Sequence, residues 1–216
     1  MDFDFAFALS ILPDLLRGAV VTGEVVVAGF ILALIGGLLL ALARRSAAPA
    51  LRGACDVYVE FVRNTPLLVQ IYFLFFVLPL WGITLSAVTT GVVALGLNYS
   101  AYLAEVYRSG IDFLPRGQWE AARALDLSPR TTWLRIVLPQ AIPPLVPVLG
   151  NYLIGMFKDT PLLAVITVPE MMQTAKQIAG TTYRYNEPYT LLALIFLAMS
   201  LPASALFRAL ERHWRD

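Results

Sequence analysis

Lys158, Asp159 and Thr160 form a short polar segment between two apolar segments, the second of which begins at Leu162. Adjacent side chains of opposite charge could bind a small zwitterion such as an amino acid. A helix that breaks at membrane depth is tolerated only where it lines a cavity or is buried in protein. We therefore expect these residues to belong to a substrate path. An interfacial loop with a neutralised charge pair is the equally simple alternative.

Asn98 and Tyr102 lie four residues apart in a stretch without charge, so a helix would present both on one face. Polar groups inside a membrane helix can serve a transport path, yet hydrogen bonds between helices explain them equally well. Both residues are therefore candidates for the substrate path, with helix packing as the alternative. Glu105 and Arg108 follow three residues apart. They could pair across one helical turn or line a path, and we favour the structural ion pair.

Catalytic and metal-binding residues are scarce in this sequence. One histidine, His213, and one cysteine, Cys55, provide no cluster of metal ligands and no nucleophile with a base. The sequence also lacks a phosphate loop of the form Gly-x-x-x-x-Gly-Lys-Ser/Thr. A net charge of +1 gives no indication of a nucleic-acid partner. We expect a protein that is not an enzyme and that holds no cofactor or metal.

The composition indicates what positions these polar groups. Of the 216 residues 58% are hydrophobic and 14% are charged, whereas soluble domains average about 45–50% and about 25%. A soluble domain of this length could not bury so much apolar surface in one core. The composition excludes an ordinary cytosolic enzyme, a disordered chain and a disulfide scaffold. It predicts an all-α polytopic membrane protein with a single transmembrane domain over residues 1–216.

A spanning helix needs about 20 apolar residues. The stretch 64–104 holds 41 residues without a charge and must turn, which we place at Pro79-Leu80-Trp81-Gly82. The acidic N-terminus lacks the basic region of a cleaved signal peptide, so we expect the first apolar segment to stay in the membrane. Five spans are predicted, at residues 18–43, 62–80, 87–107, 143–158 and 188–207.

The basic residues predict the orientation of these spans, because cytoplasmic loops are enriched in arginine and lysine. Four basic residues fall on the other face of the predicted topology: Arg17, Lys158, Lys176 and Arg184. Ten fall on the face that we take as cytoplasmic: Arg44, Arg45, Arg52, Arg116, Arg123, Arg130, Arg135, Arg208, Arg212 and Arg215. We expect an external N-terminus and a cytoplasmic C-terminus in a bacterial inner membrane.

The cytoplasmic loop 112–140 is predicted to contain two helices. The first covers Arg116–Leu125, and the second starts with Ser128 as N-cap and Pro129 at the first helical position. We expect Pro139 to end the second helix. A helix-turn-helix on the membrane surface is a docking device, because its small alanines let another protein approach closely.

The spacing within this loop resembles the "EAA" loop of ABC importer permeases. Glu120, Ala121 and Ala122 are followed by position 126 and then by Ile-Val-Leu-Pro at 136–139. Further matching segments are 63–70, 102–111, 139–141 and 158–163. Together these motifs resemble the polar amino acid branch of the family, over about residues 15–210. Trp119, Pro143-Pro144 and the stretch 157–163 make the chain most similar to permeases for ectoine and hydroxyectoine.

Three residues depart from the family pattern. Asp126 stands where the EAA loop usually has glycine, and Asn64 replaces the glycine of the usual RGTP motif. Asp and Asn tolerate positive φ better than most residues, so both turns could survive. Pro143 occupies a position that is often arginine in amino acid permeases, so the substrate need not be the typical one.

The resemblance implies a machine that contains two permease subunits, the second identical or homologous. A cytoplasmic ABC ATPase dimer, which binds the ATP, and an extracytoplasmic substrate-binding protein complete it. It implies alternating access, with Glu120, Ala121, Ala122 and Asp126 in the coupling site. The alternatives are an ATP-independent channel or facilitator, which needs no such loop, and a membrane-embedded enzyme, which needs a reactive site that the sequence lacks.

Overall fold

The computed structural model describes the chain from Phe3 to Arg215, and its side chains from Phe3 to Ala209. Every regular element of this part of the chain is helical, which confirms the all-α prediction. Four segments are long and apolar enough to cross a membrane: Phe5–Ala43, Ala87–Asp112, Pro129–Ile166 and Asn186–Ala209. A bent pair of helices would supply the fifth. Arg212 and Arg215 of the predicted cytoplasmic tail lie outside the described side chains.

Helix α1 (Phe5–Ala43) is longer than the predicted span, which began at residue 18. Its N-cap is Asp4, whose carboxylate accepts a hydrogen bond from the Phe7 amide at 3.0 Å. At 1.5 Å per residue its 39 residues reach about 58 Å, nearly twice the roughly 30 Å of hydrocarbon. The membrane span can therefore occupy only part of this helix, and its start at residue 18 stays a prediction.

The second span is broken, contrary to the continuous helix predicted at 62–80. Helix α2 (Pro49–Arg63) and the helical segment that begins with α3 (Leu67–Tyr72) and continues to Trp81 are bent by 106°. The break lies at Asn64-Thr65-Pro66, because proline excludes the preceding residue from the helical region. Asn64 has a φ of −96°, so the permissiveness expected of it is not used. The predicted turn at Pro79–Gly82 is confirmed, with Gly82 at a φ of 83°.

Helix α4 (Ala87–Asp112) is the most buried of the four segments that are long and apolar enough to cross a membrane. Ser86 caps it by accepting a hydrogen bond from the Thr89 amide at 3.1 Å. The helix packs along α1, where small residues allow the backbones to approach closely. A Cβ atom on Gly37 would lie 2.8 Å from Leu103 Cβ and 3.0 Å from the Ser100 carbonyl oxygen. This packing fixes the opposite, polar face of α4 in place.

The loop that was predicted to be cytoplasmic forms α5 (Arg116–Ala124) and α6 (Pro129–Thr132), and both helices were predicted. Ser128 accepts a hydrogen bond from the Thr131 amide, which confirms it as the N-cap. Asp126 has a φ of 51°, so aspartate does adopt the left-handed conformation in the turn between them. The glycine of the family pattern is therefore replaced without loss of the turn.

Pro139 does not end the second loop helix, and that prediction was wrong. A π-helical turn at Trp133–Val137 leads into α7 (Leu138–Asp159), so the chain stays helical from the loop into the fourth span. The Leu138 amide donates to the Trp133 carbonyl, five residues back. Such a wide turn shifts the hydrogen-bond register next to the proline, which lacks an amide proton.

Beyond α7 a 3₁₀ segment, Thr160–Ile166, leads to α8 (Met171–Thr182), a helix that was not predicted. Glu170 caps α8 and accepts hydrogen bonds from the amides of Met172 at 2.8 Å and Gln173 at 2.7 Å. The carboxyl group is fully buried, and this burial raises the pKa of Glu170 to about 7. Helix α9 (Asn186–Arg215) then forms the last span, which contains the predicted 188–207.

Candidate functional site

A polar cavity of about 630 Å³, here called the central cavity, lies where the break between α2 and α3 faces α4 and α7. Its wall combines two opposite charges, amide groups and phenol rings. The lining residues are Arg63, Asn64, Thr65, Pro66, Leu67, Asn98, Tyr99, Tyr102, Asn151, Tyr152, Gly155 and Asp159. A cavity of this size and chemistry can hold a small polar molecule.

The acidic group of the cavity is Asp159, the last residue of α7. The Tyr99 hydroxyl of α4 donates a hydrogen bond to Asp159 Oδ2 at 2.8 Å. Gly155 leaves room for this contact, since a Cβ atom there would lie 3.3 Å from the Tyr99 oxygen. The other carboxylate oxygen has no protein partner among the described residues, so it can accept from a bound cation.

The basic group is Arg63, the last residue of α2, whose guanidinium carbon lies 5.7 Å from the centroid of the Tyr102 ring. It belongs to a set of seven charged residues that we call the ion cluster: Arg44, Arg45, Asp56, Arg63, Glu105, Arg108 and Asp112. Four guanidinium groups face three carboxylates, so the cluster carries one excess positive charge.

The excess charge resides on Arg63. Glu105 Oε1 lies 2.5 Å from Arg44 but 3.9 Å from Arg63, and Glu105 Oε2 lies 2.7 Å from Arg108. The short contact with Arg108 confirms the predicted ion pair. Arg44 also pairs with Asp56 at 2.6 Å. Among the described residues, Arg63 therefore has one distant carboxylate partner, Glu105, and it presents its charge to the central cavity.

Three tyrosines pack together beside the charged groups. The ring centroids of Tyr99, Tyr102 and Tyr152 lie 6.1 to 6.3 Å apart in each pairing. This spacing is within the usual range for aromatic rings packed against one another. The tyrosines therefore form a wall of the cavity.

Asn98 makes a hydrogen bond between helices and also lines the cavity. Its side-chain amide donates to Gln70 Oε1 at 3.1 Å. Gln70 in turn donates to the Val62 carbonyl at 2.9 Å and to Thr65 Oγ1 at 2.7 Å. These bonds join α4 to the broken helix and satisfy polar groups that the break leaves without helical partners.

Of the five candidate path residues, Asn98, Tyr102 and Asp159 meet in the central cavity, whereas Lys158 and Thr160 do not. Lys158 is exposed on another face of α7, and buried Thr160 donates to the Phe157 carbonyl at 2.8 Å. Sequence reasoning missed Tyr99, Asn151, Tyr152 and the role of Arg63. Pro66, three residues beyond Arg63, breaks the helix and was the available signal.

The loop residues lie apart from the cavity. Glu120 and Ala121 are exposed on α5, Ala122 is buried beneath them, and Asp126 is exposed in the following turn. The edge-to-face rings of Trp119 and Trp133, 5.6 Å apart, hold α5 against the start of the fourth span. The exposed residues are thus presented on a helix whose inner face is fixed to the membrane-spanning part.

Comparisons with known proteins agree with these features. Residues 25–216 match the family described as binding-protein-dependent transport system inner membrane component. The chain is 44% identical to a probable amino-acid ABC transporter permease protein, y4tG, of Sinorhizobium fredii, over 96% of this chain and 90% of that protein. It is 38% identical to a probable glutamine ABC transporter permease protein, GlnP, of Bacillus subtilis, over 98% of both.

A solved structure extends the similarity to three dimensions. The chain superposes with a TM-score of 0.93 on a chain from the crystal structure of an amino acid ABC transporter with histidines. The two are 35% identical, and the alignment covers 99% of this chain and 100% of the other. The fold of this chain is therefore a known architecture.

Proposed function

Because the chain belongs to the family of binding-protein-dependent transport system inner membrane components, we propose that its central cavity binds a small zwitterion during ATP-driven import. The chain is a membrane-embedded permease subunit of the amino acid ABC transporters, a transport component and not an enzyme. The observation that carries the proposal is the pair of opposite charges, Arg63 and Asp159, that lines one polar cavity.

Each charged group has capacity for the substrate. Arg63 presents the excess positive charge of the ion cluster and suits a carboxylate, which a guanidinium binds through two parallel hydrogen bonds. Asp159 keeps one carboxylate oxygen that no described residue contacts, and it suits an ammonium or amidinium group. Polar amino acids and ectoine both combine these two charges. Amide groups of Asn98 and Asn151 supply further hydrogen-bonding partners in the same wall.

Transport by alternating access would move the substrate between the two sides of the membrane. Rigid movement of one helix group against another is the usual form of such transitions. In this proposal the ATPase dimer docks on α5 around Glu120, Ala121, Ala122 and Asp126, and its ATP-driven closure moves the loop. The continuous helical path from α6 into α7 supports this, since it joins the loop to the helix that carries Asp159.

The remaining partners follow from the same assembly. A second permease copy, identical or homologous, completes the path, and the substrate-binding protein docks on the external face. The exposed rings of Tyr183 and Tyr185 lie between α8 and α9, on the face that we take as external. The N-terminus would lie outside and the C-terminus inside, in a bacterial inner membrane.

Uptake by the complete complex, with its ATPase and binding protein in proteoliposomes, tests the cavity. A hydrogen bond to a charged group is worth about 1.5–3 kcal/mol, so Arg63→Gln or Asp159→Asn should raise KM for uptake about ten- to a hundredfold. Lys158→Gln is the matched control, because Lys158 neighbours Asp159 but lies outside the cavity. Unlabelled amino acids and ectoine are then compared as competitors of a labelled amino acid, and the strongest competitor identifies the preferred zwitterion. A KM within twofold of wild type for both cavity variants would refute the proposal.

A further inference from the structure

A second cavity, of about 470 Å³, lies between α4 and α7, on the side of the central cavity that we take as cytoplasmic. We call it the inner cavity. Its lining residues are Glu105, Val106, Arg108, Ser109, Gly110, Phe113, Pro144, Leu145 and Val148. It shares no lining residue with the central cavity, and it is not occupied by any part of the described chain.

The two cavities follow one another along the same seam between two helices. On α4 the central cavity takes Asn98, Tyr99 and Tyr102, and the inner cavity continues with Glu105, Ser109 and Phe113. Steps of three and four residues keep these positions on one face of the helix. From Tyr102 to Ser109 the seam runs seven residues, which is roughly 10 Å along the helix axis.

Helix α7 shows the same continuity from the other side of the seam. Asp159, Gly155 and Tyr152 line the central cavity, and Val148 and Leu145 line the inner one. Because α4 and α7 run in opposite directions, their residue numbers fall along one wall as they rise along the other. The seam is therefore a continuous groove with two wider sections.

The groove narrows between the two sections at a pair of phenol rings. The centroids of Tyr102, on α4, and Tyr152, on α7, lie 6.1 Å apart with an interplanar angle of 34°. On α4, Tyr102 is the last lining residue of the central cavity before the inner cavity begins at Glu105. On α7, Tyr152 and Asn151 are the last before Val148, so this ring pair lies between the two sections.

The charges of the central cavity recur in the inner cavity. Glu105 and Arg108 line it as a carboxylate and a guanidinium, 2.7 Å apart across one helical turn. Arg63 joins the two sections, because it lines the central cavity while its Nη1 lies 3.9 Å from Glu105 Oε1. A zwitterion that leaves Arg63 and Asp159 would meet a similar pair of charges further along the groove.

We propose that the inner cavity is a second, transient binding site for the same zwitterion on its way to the cytoplasm, with Tyr102 and Tyr152 as the partition. This inference rests on the proposed function of the central cavity. The substrate carboxylate takes the place of Glu105 as the partner of the Arg108 guanidinium. The cationic group of the substrate takes the place of Arg108 as the partner of the Glu105 carboxylate. Each section offers both charges, so the zwitterion need not cross the seam with a charge unpaired.

Cysteine accessibility in the complete transporter tests the route. The native Cys55 is first replaced by serine. Ser109→Cys on α4 and Val148→Cys on α7 then place single thiols in the inner cavity. Leu39→Cys is the matched control, because Leu39 is exposed near the C-terminal end of α1 and lines neither cavity. Inside-out vesicles are treated with a charged methanethiosulfonate reagent, and the labelling rate of each thiol is measured.

The expected result is labelling of both inner-cavity thiols at least tenfold faster than of the control thiol. Saturating transported amino acid in the external medium of these vesicles should slow this labelling at least threefold, and leave the control rate unchanged. Labelling of both cavity thiols at the control rate would overturn the route. Fast labelling without protection by the amino acid would overturn the binding site, since it indicates an open aqueous crevice only.

The partition is tested by the size of one side chain. Tyr152→Ala should let labelled amino acid leak down its gradient without ATP, at least fivefold above wild type, whereas Tyr152→Phe keeps the ring and should not leak. Equal leak rates for the two variants would overturn the partition. If the labelling and leak experiments fail while Arg63→Gln and Asp159→Asn still raise KM, the second site is wrong and the central cavity stands.

Discussion

Gly37 on α1 provides a sharp test of how the α4 face that lines both cavities is positioned. A Cβ atom at this position would lie 2.8 Å from Leu103 Cβ, 3.0 Å from the Ser100 carbonyl oxygen and 3.1 Å from the Ala104 amide nitrogen. These neighbouring atoms belong to the backbone or are attached directly to it. No side-chain rotation can relieve the contact, so Gly37→Ala must push α1 and α4 apart.

The size of the effect follows from the cost of overpacking, about 1–3 kcal/mol for an added carbon in a filled interior. Replacement of a helical glycine by alanine also stabilises a helix by up to about 1 kcal/mol. Gly23→Ala controls for this gain, because Gly23 lies on the same helix and a Cβ atom there would meet no heavy atom within 4 Å. The difference between the two variants isolates the α1–α4 contact.

Thermal unfolding of the purified subunit in detergent measures this difference. A change of 1 kcal/mol shifts Tm by about 2–4 °C in a chain of this size. Gly37→Ala should therefore melt roughly 2–12 °C below Gly23→Ala. A Tm for Gly37→Ala that equals or exceeds that of Gly23→Ala would show that the two helices are not held at the distance described.

Two further predictions concern helix α5 of the loop and helix α8. Glu120→Lys should leave the permease in the membrane while ATP hydrolysis becomes uncoupled from uptake, and normal uptake at normal protein level would contradict the docking assignment. Glu170 has a pKa of about 7 in the folded protein against an ordinary 4.5. The folded state thus binds more protons between those values, and stability should fall as pH rises from about 4.5 to 7, by roughly 3 kcal/mol at 1.36 kcal/mol per unit. Glu170→Gln should flatten this dependence in a series of Tm measurements at pH 5 to 8; an unchanged slope would contradict it.

Local signals in the sequence predicted much of the fold. An apolar stretch longer than the bilayer requires defines a span wherever it lies in the chain, so the all-α membrane class followed from composition and run length. Ser128-Pro129 starts a helix through the conformational preferences of two adjacent residues, and Asp126 adopts its positive φ for the same local reason. Pro139 misled because a π-turn, which no residue pattern announces, shifts the hydrogen-bond register before it.

The site required information that a linear reading lacks. Lys158 and Asp159 are adjacent in sequence, but each residue turns about 100° around the helix axis, so only Asp159 faces the cavity. Tyr99 contacts Asp159 across 60 residues of chain, and Arg63 faces the cavity because a 106° bend follows it. Run length and local preference therefore determined which segments are helical and which of them are apolar. The rotation and packing of those helices, which depend on close contacts such as that of Gly37 with α4, decided which polar groups meet.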